Sequence, residues 1–114
     1  MSDCIFCGIA ARDLPATILR DDGEVLAIRD INPQAPTHVL VLPREHIASL
    51  VELTPAQDGL WGRMLHVAQA IAEDEGIDEK GFRLVVNTGH DGGQTVDHLH
   101  IHLLGGRRMT WPPG

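Results

Sequence analysis

The sequence has no long apolar run. Across its 114 residues, no stretch approaches the roughly 20 apolar residues that a membrane-spanning helix needs, so we expect no membrane partner. The first residues also lack the basic segment and apolar stretch of a secretory signal, which predicts a cytoplasmic protein. Hydrophobic residues still make up 43% of the chain, and this share is sufficient for the core of a single domain over residues 1–114.

Positive charge is scarce as well. Nine lysines and arginines stand against 16 acidic residues, which gives a formal net charge of −7, and the longest basic cluster is the pair Arg107-Arg108. Proteins that hold long nucleic acids by their phosphates usually present a basic face, so we expect no nucleic acid polymer as a partner. A small phosphate compound is still compatible with this charge, because backbone N–H groups, amides and imidazoles can bind it.

Cysteine is limited to Cys4 and Cys7, which form a C-x-x-C motif near the N-terminus. In a reducing compartment we expect no structural disulfide between them. A redox motif would lie beside a βαβ pattern, and no strand is predicted before this one. Half of a zinc site fits the pair better, and its other ligands would have to be histidines further along the chain.

The spacing of apolar residues predicts an α+β fold: a five-stranded antiparallel sheet with one long and one short helix. Asp3 is the predicted cap of the short helix, which covers residues 4–11. Two β-like runs then flank Asp22-Gly23, which predicts a hairpin. Three further strands are predicted over residues 37–43, 82–89 and 98–104.

The long helix is predicted between the third and fourth strands. Thr54 is its N-cap, Pro55 occupies the first helical position, and Gln57 completes a capping box. Gly76 is the predicted end of the helix. One apolar stripe, which we expect to face the core, comprises Leu60, Met64, Leu65, Ala68, Ile71 and Ala72.

The last predicted strand, HLHIHLL, carries a histidine at every second position. Successive side chains of a strand point to opposite faces, so His98, His100 and His102 would share one face. The opposite face, with Leu99, Ile101 and Leu103, would pack under the long helix. A solvated polar face is the simpler alternative, but such faces more often carry Thr, Lys, Glu or Arg. We therefore expect the three imidazoles to line a cleft.

Two kinds of chemistry suit three imidazoles in one cleft. They could bind a catalytic zinc with an open fourth position, or one of them could attack phosphorus while its neighbours orient it and hold the phosphate oxygens. The residues before the strand favour phosphorus chemistry. Backbone N–H groups, amides and a hydroxyl donate hydrogen bonds to phosphate oxygens, and the candidates are Asn87, Gly92, Gly93, Gln94 and Thr95.

The stretch HLHIHLL matches the histidine triad pattern, His-x-His-x-His followed by two apolar residues. The flanking GGQTVD and GGRRMTWPPG, together with RDINPQAPTHVLVLPREHI, resemble the Hint branch of the histidine triad (HIT) superfamily, the histidine triad nucleotide-binding proteins. The resemblance covers nearly the whole chain. It implies a HIT-like fold whose sheet continues across a homodimer.

The resemblance also implies an activity, the hydrolysis of purine nucleoside 5′-phosphoramidates such as adenosine 5′-monophosphoramidate through a nucleotidyl-histidine intermediate. One alternative is a Fhit-like dinucleoside polyphosphate hydrolase, which shares the triad but lacks the WPPG ending. The other is a nucleotide-binding scaffold with vestigial catalysis. The intact triad argues against it, as does the glycine loop, the glycine-rich segment over residues 87–97. No catalytic cofactor is expected.

Roles for individual residues follow from the same resemblance. His100 would be the nucleophile, oriented by the backbone carbonyl of His98. Asp30 would bind the ribose hydroxyls, and Trp111 would reach toward the partner subunit's pocket. The phosphate and leaving group would meet His102, Gln94 and Thr95. His38 and Asn87 would be further pocket residues, and Gly93 is also expected to bind the substrate. The apolar slot for the base would be formed by Ile5, Phe6, Ile9, Ile28 and Ile31.

A structural zinc is the last expectation from the resemblance. Some bacterial triad proteins and the related galactose-1-phosphate uridylyltransferases combine C-x-x-C with two histidines, here His46 and His98, so the metal ligands would be Cys4, Cys7, His46 and His98. The alternative is a pair of buried thiols with His46 as an ordinary loop residue. For His66 and His90 we expect no functional role.

Overall fold

The computed structural model describes residues 3–114, which form one sheet and two α-helices. The short helix α1 is followed by the hairpin of β1 and β2, then by β3, the long helix α2, β4 and β5. Their bounds are α1 Ile5–Ala10, β1 Ile18–Asp21, β2 Val25–Arg29, β3 Thr37–Pro43, α2 Asp58–Asp74, β4 Phe82–Val85 and β5 Ile101–Gly105. All neighbouring strands are antiparallel, in the order β1-β2-β3-β5-β4. The predicted fold class is confirmed.

The two faces of the sheet carry two separate cores because side chains alternate along each strand. Helix α2 covers one face, on which the buried triad neighbours Leu99, Ile101 and Leu103 pack, as predicted. Helix α1 covers the other face, where Phe6 and Ile9 pack against the sheet. The strand residues of this second core are Leu26, Ile28, Leu40 and Leu42. The candidate site lies on the α1 face.

Helix α2 begins after a 3₁₀ turn over Pro55–Gln57 that carries the predicted capping box at Thr54. It ends before Gly76, whose φ of +71° is the left-handed conformation that favours glycine. The buried residues are Met64, Val67, Ala68, Ile71 and Ala72. Within the described residues, no helix is long and apolar enough to cross a bilayer.

The predicted stripe of α2 was wrong at one position. Leu65 is 38% exposed, whereas Val67 is 5% exposed. The buried set starts at Met64 and repeats at intervals of three and four residues, and Leu65 falls outside this spacing. Val67, three residues after Met64, is the buried residue of the stripe in place of the predicted Leu65.

Helix α1 is capped differently from the prediction. Its N-cap is Cys4 rather than Asp3, and the Cys4 sulfur accepts the Cys7 backbone N–H at 3.4 Å. Asp3 lies exposed before the helix. The predicted aspartate cap is therefore wrong, because the sulfur occupies the position from which a cap accepts.

Strand β5 starts at Ile101 and not at His98. In the register with β3, Val41 lies opposite Ile101, so Leu99 would face Pro43. Proline has no N–H to donate, and the ladder stops before it. The Leu99 N–H binds the Ile47 carbonyl instead, at 2.7 Å. The first two triad histidines therefore lie in an irregular segment that leads into the strand.

Candidate active site and metal centre

His100 is a buried imidazole whose orientation is fixed by the backbone. The residue is 5% exposed, and its Nδ1 lies 2.7 Å from the carbonyl oxygen of His98. A carbonyl oxygen can only accept, so Nδ1 carries the proton and donates it to this bond. The other ring nitrogen, Nε2, then holds a lone pair. This arrangement leaves a nucleophilic atom on a ring that cannot easily rotate.

His38 and His102 form a chain of hydrogen bonds with a defined direction. The Gln34 backbone N–H donates to His38 Nδ1 at 3.0 Å, so neutral His38 carries its proton on Nε2. That nitrogen lies 2.9 Å from His102 Nδ1 and donates to it. His102 must therefore carry its own proton on Nε2. His100 thus offers a lone pair, and its strand neighbour His102 offers a donor.

Asp30 anchors one side of this chain. One carboxylate oxygen accepts the Asn32 backbone N–H at 2.8 Å, and the other lies 3.4 Å from His38 Nε2. Among the described side chains, only its negative charge raises the pKa values of His38 and His100. Asp30 is therefore held in place beside the imidazoles and lowers the cost of positive charge on them.

Burial keeps these imidazoles neutral. Loss of hydration lowers the pKa values of His38 and His100 below the usual value for histidine. For His102 the same burial, with repulsion from His100 and His38, lowers the pKa to about 4. The lone pair of His100 is consequently available near neutral pH.

His100 and His102 line a cavity of about 230 Å³ on the α1 face of the sheet, whereas the predicted catalytic residue His38 lies behind His102 and does not line it. Nine of the residues predicted for catalysis or substrate binding line it: Ile5, Phe6, Ile9, Ile28, Asp30, Ile31, Thr95, His100 and His102. The wall is mostly apolar away from the imidazoles. Phe6 and Ile28 are buried, whereas Ile31 is 97% exposed and lies at the rim. The cavity therefore combines an apolar slot with a carboxylate and two imidazoles.

Five residues that line the cavity were not predicted from the sequence, namely Pro15, Ala16, Arg29, Leu40 and Val96. Leu40 could have been found, because it lies two residues after His38 on β3 and shares its face. Pro15 and Ala16 come from the segment between α1 and β1, where no periodic pattern marks them.

Other predicted site residues do not line this cavity. The Gln94 side chain is bound to backbone groups: its nitrogen donates to Ala48 O at 2.8 Å and Val96 O at 2.9 Å, and its oxygen accepts from Gly89 N at 3.0 Å. This amide braces the glycine loop. Asn87 and Gly93 lie in that loop region, half-buried and exposed respectively.

Three further residues lie at the surface of the described chain. Trp111 is 82% exposed, in a tail that the Arg83 guanidinium holds by donating to Thr110 O at 3.0 Å. His66 is exposed on α2, and the His90 side chain is fully exposed in the glycine loop.

A second cluster, of two sulfurs and two imidazoles, lies beside α1. The ligand atoms of Cys4, Cys7, His46 and His98 all lie within 4.8 Å of one another. His98 Nδ1 is 3.3 Å from Cys4 Sγ and 3.6 Å from Cys7 Sγ, and His46 Nδ1 is 3.3 Å from Cys7 Sγ. A tetrahedral zinc with ordinary bond lengths separates its sulfur and nitrogen ligands by roughly 3.5 Å. The cluster therefore has the spacing of a zinc site.

The protonation of His98 also fits a metal ligand. Its Nε2 lies 2.7 Å from the Pro43 carbonyl oxygen, which can only accept, so the proton is on Nε2. The lone pair on Nδ1 then faces the two sulfurs. A metal ligand held by a carbonyl in this way is a common arrangement. His98 would thus bind zinc through its ring while its own carbonyl orients His100.

Asp30, His38 and His102 are also close enough to share a cation, but their hydrogen bonds argue against it. His38 Nδ1 accepts the Gln34 N–H, so Nε2 would have to lose its proton and leave an imidazolate in order to bind a metal. The cluster of Cys4, Cys7, His46 and His98 needs no imidazolate at His98, because His98 Nδ1 already holds a lone pair. Of the two groups, the cysteine and histidine cluster is the better metal site.

The HIT domain family model matches residues 11–109 of this chain. The chain is 45% identical to the 14 kDa zinc-binding protein of Brassica juncea, over 98% of this chain and 100% of the relative. It is 44% identical to adenylylsulfatase HINT1 of Arabidopsis thaliana, over 99% of this chain and 78% of the relative. Among solved structures, a HIT family hydrolase from Legionella pneumophila matches with a TM-score of 0.97 and 49% identity, over 98% of this chain and 100% of that one. The chain belongs to the HIT domain family.

Proposed function

We propose that this protein hydrolyses purine nucleoside 5′-phosphoramidates, as a member of the Hint branch, through a nucleotidyl-histidine intermediate on His100. The observation that carries the proposal is the hydrogen bond from His100 Nδ1 to the His98 carbonyl, which leaves the Nε2 lone pair at the cavity. The name of the Legionella pneumophila relative, a hydrolase, supports hydrolytic chemistry.

The reaction has two steps. In the first, His100 Nε2 bonds to the α-phosphorus as the phosphorus–nitrogen bond breaks, and the leaving amine takes a proton from solvent while His102 Nε2–H donates a hydrogen bond to the reacting phosphate. In the second, water attacks the phosphorus as its bond to His100 breaks, and the proton that this water loses goes to solvent. The products are the nucleoside monophosphate and the amine. The His38–His102 hydrogen bond keeps the donor on the correct ring nitrogen throughout.

Recognition of the nucleotide uses the two ends of the cavity. The apolar slot around Phe6, Ile9 and Ile28 would hold the purine base, and the Asp30 carboxylate would accept hydrogen bonds from the ribose hydroxyls. The Thr95 hydroxyl at the cavity wall, with the glycine loop, would donate to the phosphate. The name adenylylsulfatase of the Arabidopsis thaliana relative supports an adenylyl group as the recognised part.

A zinc ion at Cys4, Cys7, His46 and His98 would have a structural role, because four protein ligands close its coordination. It would tie α1 to the segment before β5 and supply no chemistry to the reaction. The zinc-binding name of the Brassica juncea relative supports this ligand set. No catalytic cofactor is needed, since His100 provides the nucleophile and His102 provides a hydrogen-bond donor to the phosphate.

The proposed assembly is a homodimer in which the sheet continues from one subunit to the next. β4 is an edge strand of the described sheet, and its Phe82 and Leu84 side chains are each 37% exposed. An edge of this kind offers unpaired backbone groups and apolar side chains to a second copy. The exposed Trp111 would then reach the partner subunit's pocket.

The experiment that tests the proposal measures turnover of three adenylyl compounds: an adenosine phosphoramidate, adenylyl sulfate and a dinucleoside polyphosphate. AMP serves as a separate probe of binding. A phosphoramidate preference of at least about tenfold in kcat/KM supports the proposal. Preference for the dinucleotide would identify a Fhit-like hydrolase instead. AMP binding without turnover of any compound would identify a nucleotide-binding scaffold.

A further inference from the structure

Helix α1 lies between the metal cluster and the nucleotide cavity. Cys4 caps the helix and Cys7 lies in it, and both sulfurs face His98. Phe6, between them in sequence, turns the other way and is only 4% exposed. With Ile9 it forms the α1 wall of the cavity. One helix of six residues thus contributes to both sites.

The Phe6 ring contacts the rings that belong to these two sites. It forms a T-shaped pair with His98, with ring centroids 5.8 Å apart at 80°, and another with His100, with centroids 5.1 Å apart at 83°. Edge-to-face contacts of this kind are favourable and depend on orientation. A displacement of Phe6 therefore changes the environment of both the metal ligand His98 and the nucleophile His100.

So short a helix has no stable position of its own. An isolated helix shorter than roughly 12 residues is marginal in water, so α1 depends on its contacts. These contacts are the sulfurs at one side and the packing of Phe6 and Ile9 at the other. A metal would fix the sulfur side, and a bound nucleotide would fix the cavity side. Each ligand therefore reduces the ordering that the other has to impose.

We propose that Phe6 is a positioning residue that couples zinc binding at the cysteine and histidine cluster to nucleotide binding in the cavity. This inference rests on the proposed nucleotide site. Because such coupling is reciprocal, zinc strengthens nucleotide binding and a bound nucleotide strengthens zinc binding by the same factor. A coupling of about fivefold or more is the expected size.

The test measures zinc release from the zinc-loaded protein to a colorimetric chelator, with and without AMP. AMP contains the base, ribose and phosphate but no leaving group, so it fills the site without turnover. Its dissociation constant is measured first for each variant, and AMP is then used well above that value. The variants are Phe6→Leu, which removes the aromatic ring, and Leu26→Val as a matched control in the same core, at a residue that does not line the cavity.

We expect AMP to slow zinc release about fivefold or more in the wild type and in Leu26→Val, and to have little effect in Phe6→Leu. Equal slowing in all three proteins would overturn the role of Phe6. Unchanged zinc release in wild type that binds AMP would overturn the coupling and leave the nucleotide site intact. Failure of AMP to bind the zinc-loaded wild type would reject the nucleotide site itself. The wild-type measurement is decisive even if Phe6→Leu does not fold.

Discussion

The carbonyl oxygen of His98 accepts the Nδ1 proton of His100 at 2.7 Å. The same residue directs its ring Nδ1 at the sulfurs of Cys4 and Cys7 and its Nε2 proton at Pro43 O. One histidine therefore joins the candidate metal centre to the candidate nucleophile, and both ring nitrogens and the carbonyl are in use. The ring would hold the metal while the backbone orients the reacting ring.

Stability should fall as the pH is lowered, because the His102 pKa is depressed to about 4. Unfolded His102 binds a proton near pH 6.5 while the folded residue does not, so the unfolded state gains protons between these values. The contribution of neutral His102 to the free energy of unfolding is complete above the pKa of the unfolded residue. It is lost as the pH falls toward the pKa of the folded residue. The expected loss is about 2 kcal/mol between pH 7 and pH 5.

Denaturant unfolding at several pH values in excess zinc measures this effect in the wild type and in His102→Gln. The variant should lose about 2 kcal/mol less over the same range. Identical pH slopes for the two proteins would show that His102 is not the buried neutral group described here.

The zinc prediction concerns Cys4→Ser combined with Cys7→Ser. Elemental analysis of wild type purified without a histidine tag should give about one zinc per chain, and none in the double variant. The variant should melt at least about 5 °C lower, because metal binding contributes to folding. Most phosphoramidase activity should remain at saturating substrate, since the His100 bond to His98 O needs no metal. Zinc-free wild type from zinc-replete cells would reject the site.

The glycine loop should not tolerate a side chain at Gly92. An added Cβ there would lie 2.7 Å from the Thr88 backbone nitrogen and closer still to its carbonyl oxygen. Backbone cannot yield as a flexible side chain does, so Gly92→Ala should cost about 1–3 kcal/mol and lower kcat/KM. Gly59→Ala is the matched control. It has nothing within 4 Å and should keep activity while gaining up to about 1 kcal/mol. Equal effects of the two substitutions would contradict this account of the loop.

The homodimer prediction is tested by light scattering on a chain of 12.4 kDa. At micromolar concentration the mass should be that of two chains, and Leu84→Glu on the exposed edge of β4 should yield a monomer. A wild-type monomer would count against the assembly.

Truncation after Gly106 should alter the preference among phosphoramidates, because it removes Trp111. Unchanged preference would leave the tail without a role in substrate selection.

Much of the fold could be predicted from the sequence because alternation along strands is a strong signal. It placed Leu99, Ile101 and Leu103 in the core under α2. The strand boundary at His98 was missed, since it depends on which residue of β3 lies opposite. Only the observed register brings Pro43 to that position.

The candidate site was less predictable in its side-chain contacts. Nine predicted residues line the cavity. Sequence spacing could not reveal that the Gln94 amide forms hydrogen bonds with three backbone groups. The sequence also could not predict which ring nitrogens of His38 and His102 carry protons, because this depends on the Gln34 backbone N–H that donates to His38 Nδ1. Contacts between segments distant in sequence decided these details.

The central claim is that His100 becomes covalently nucleotidylated during turnover. Rapid quenching into alkaline denaturant, which preserves phosphorus–nitrogen bonds to histidine, followed by peptide mass spectrometry, tests it most directly. We expect a transient nucleoside monophosphate adduct on His100 during turnover of an adenosine phosphoramidate. His100→Ala should show no adduct and lose at least about 10³-fold in kcat, yet still bind AMP. Rapid turnover by His100→Ala, or an adduct on another residue, would contradict the account.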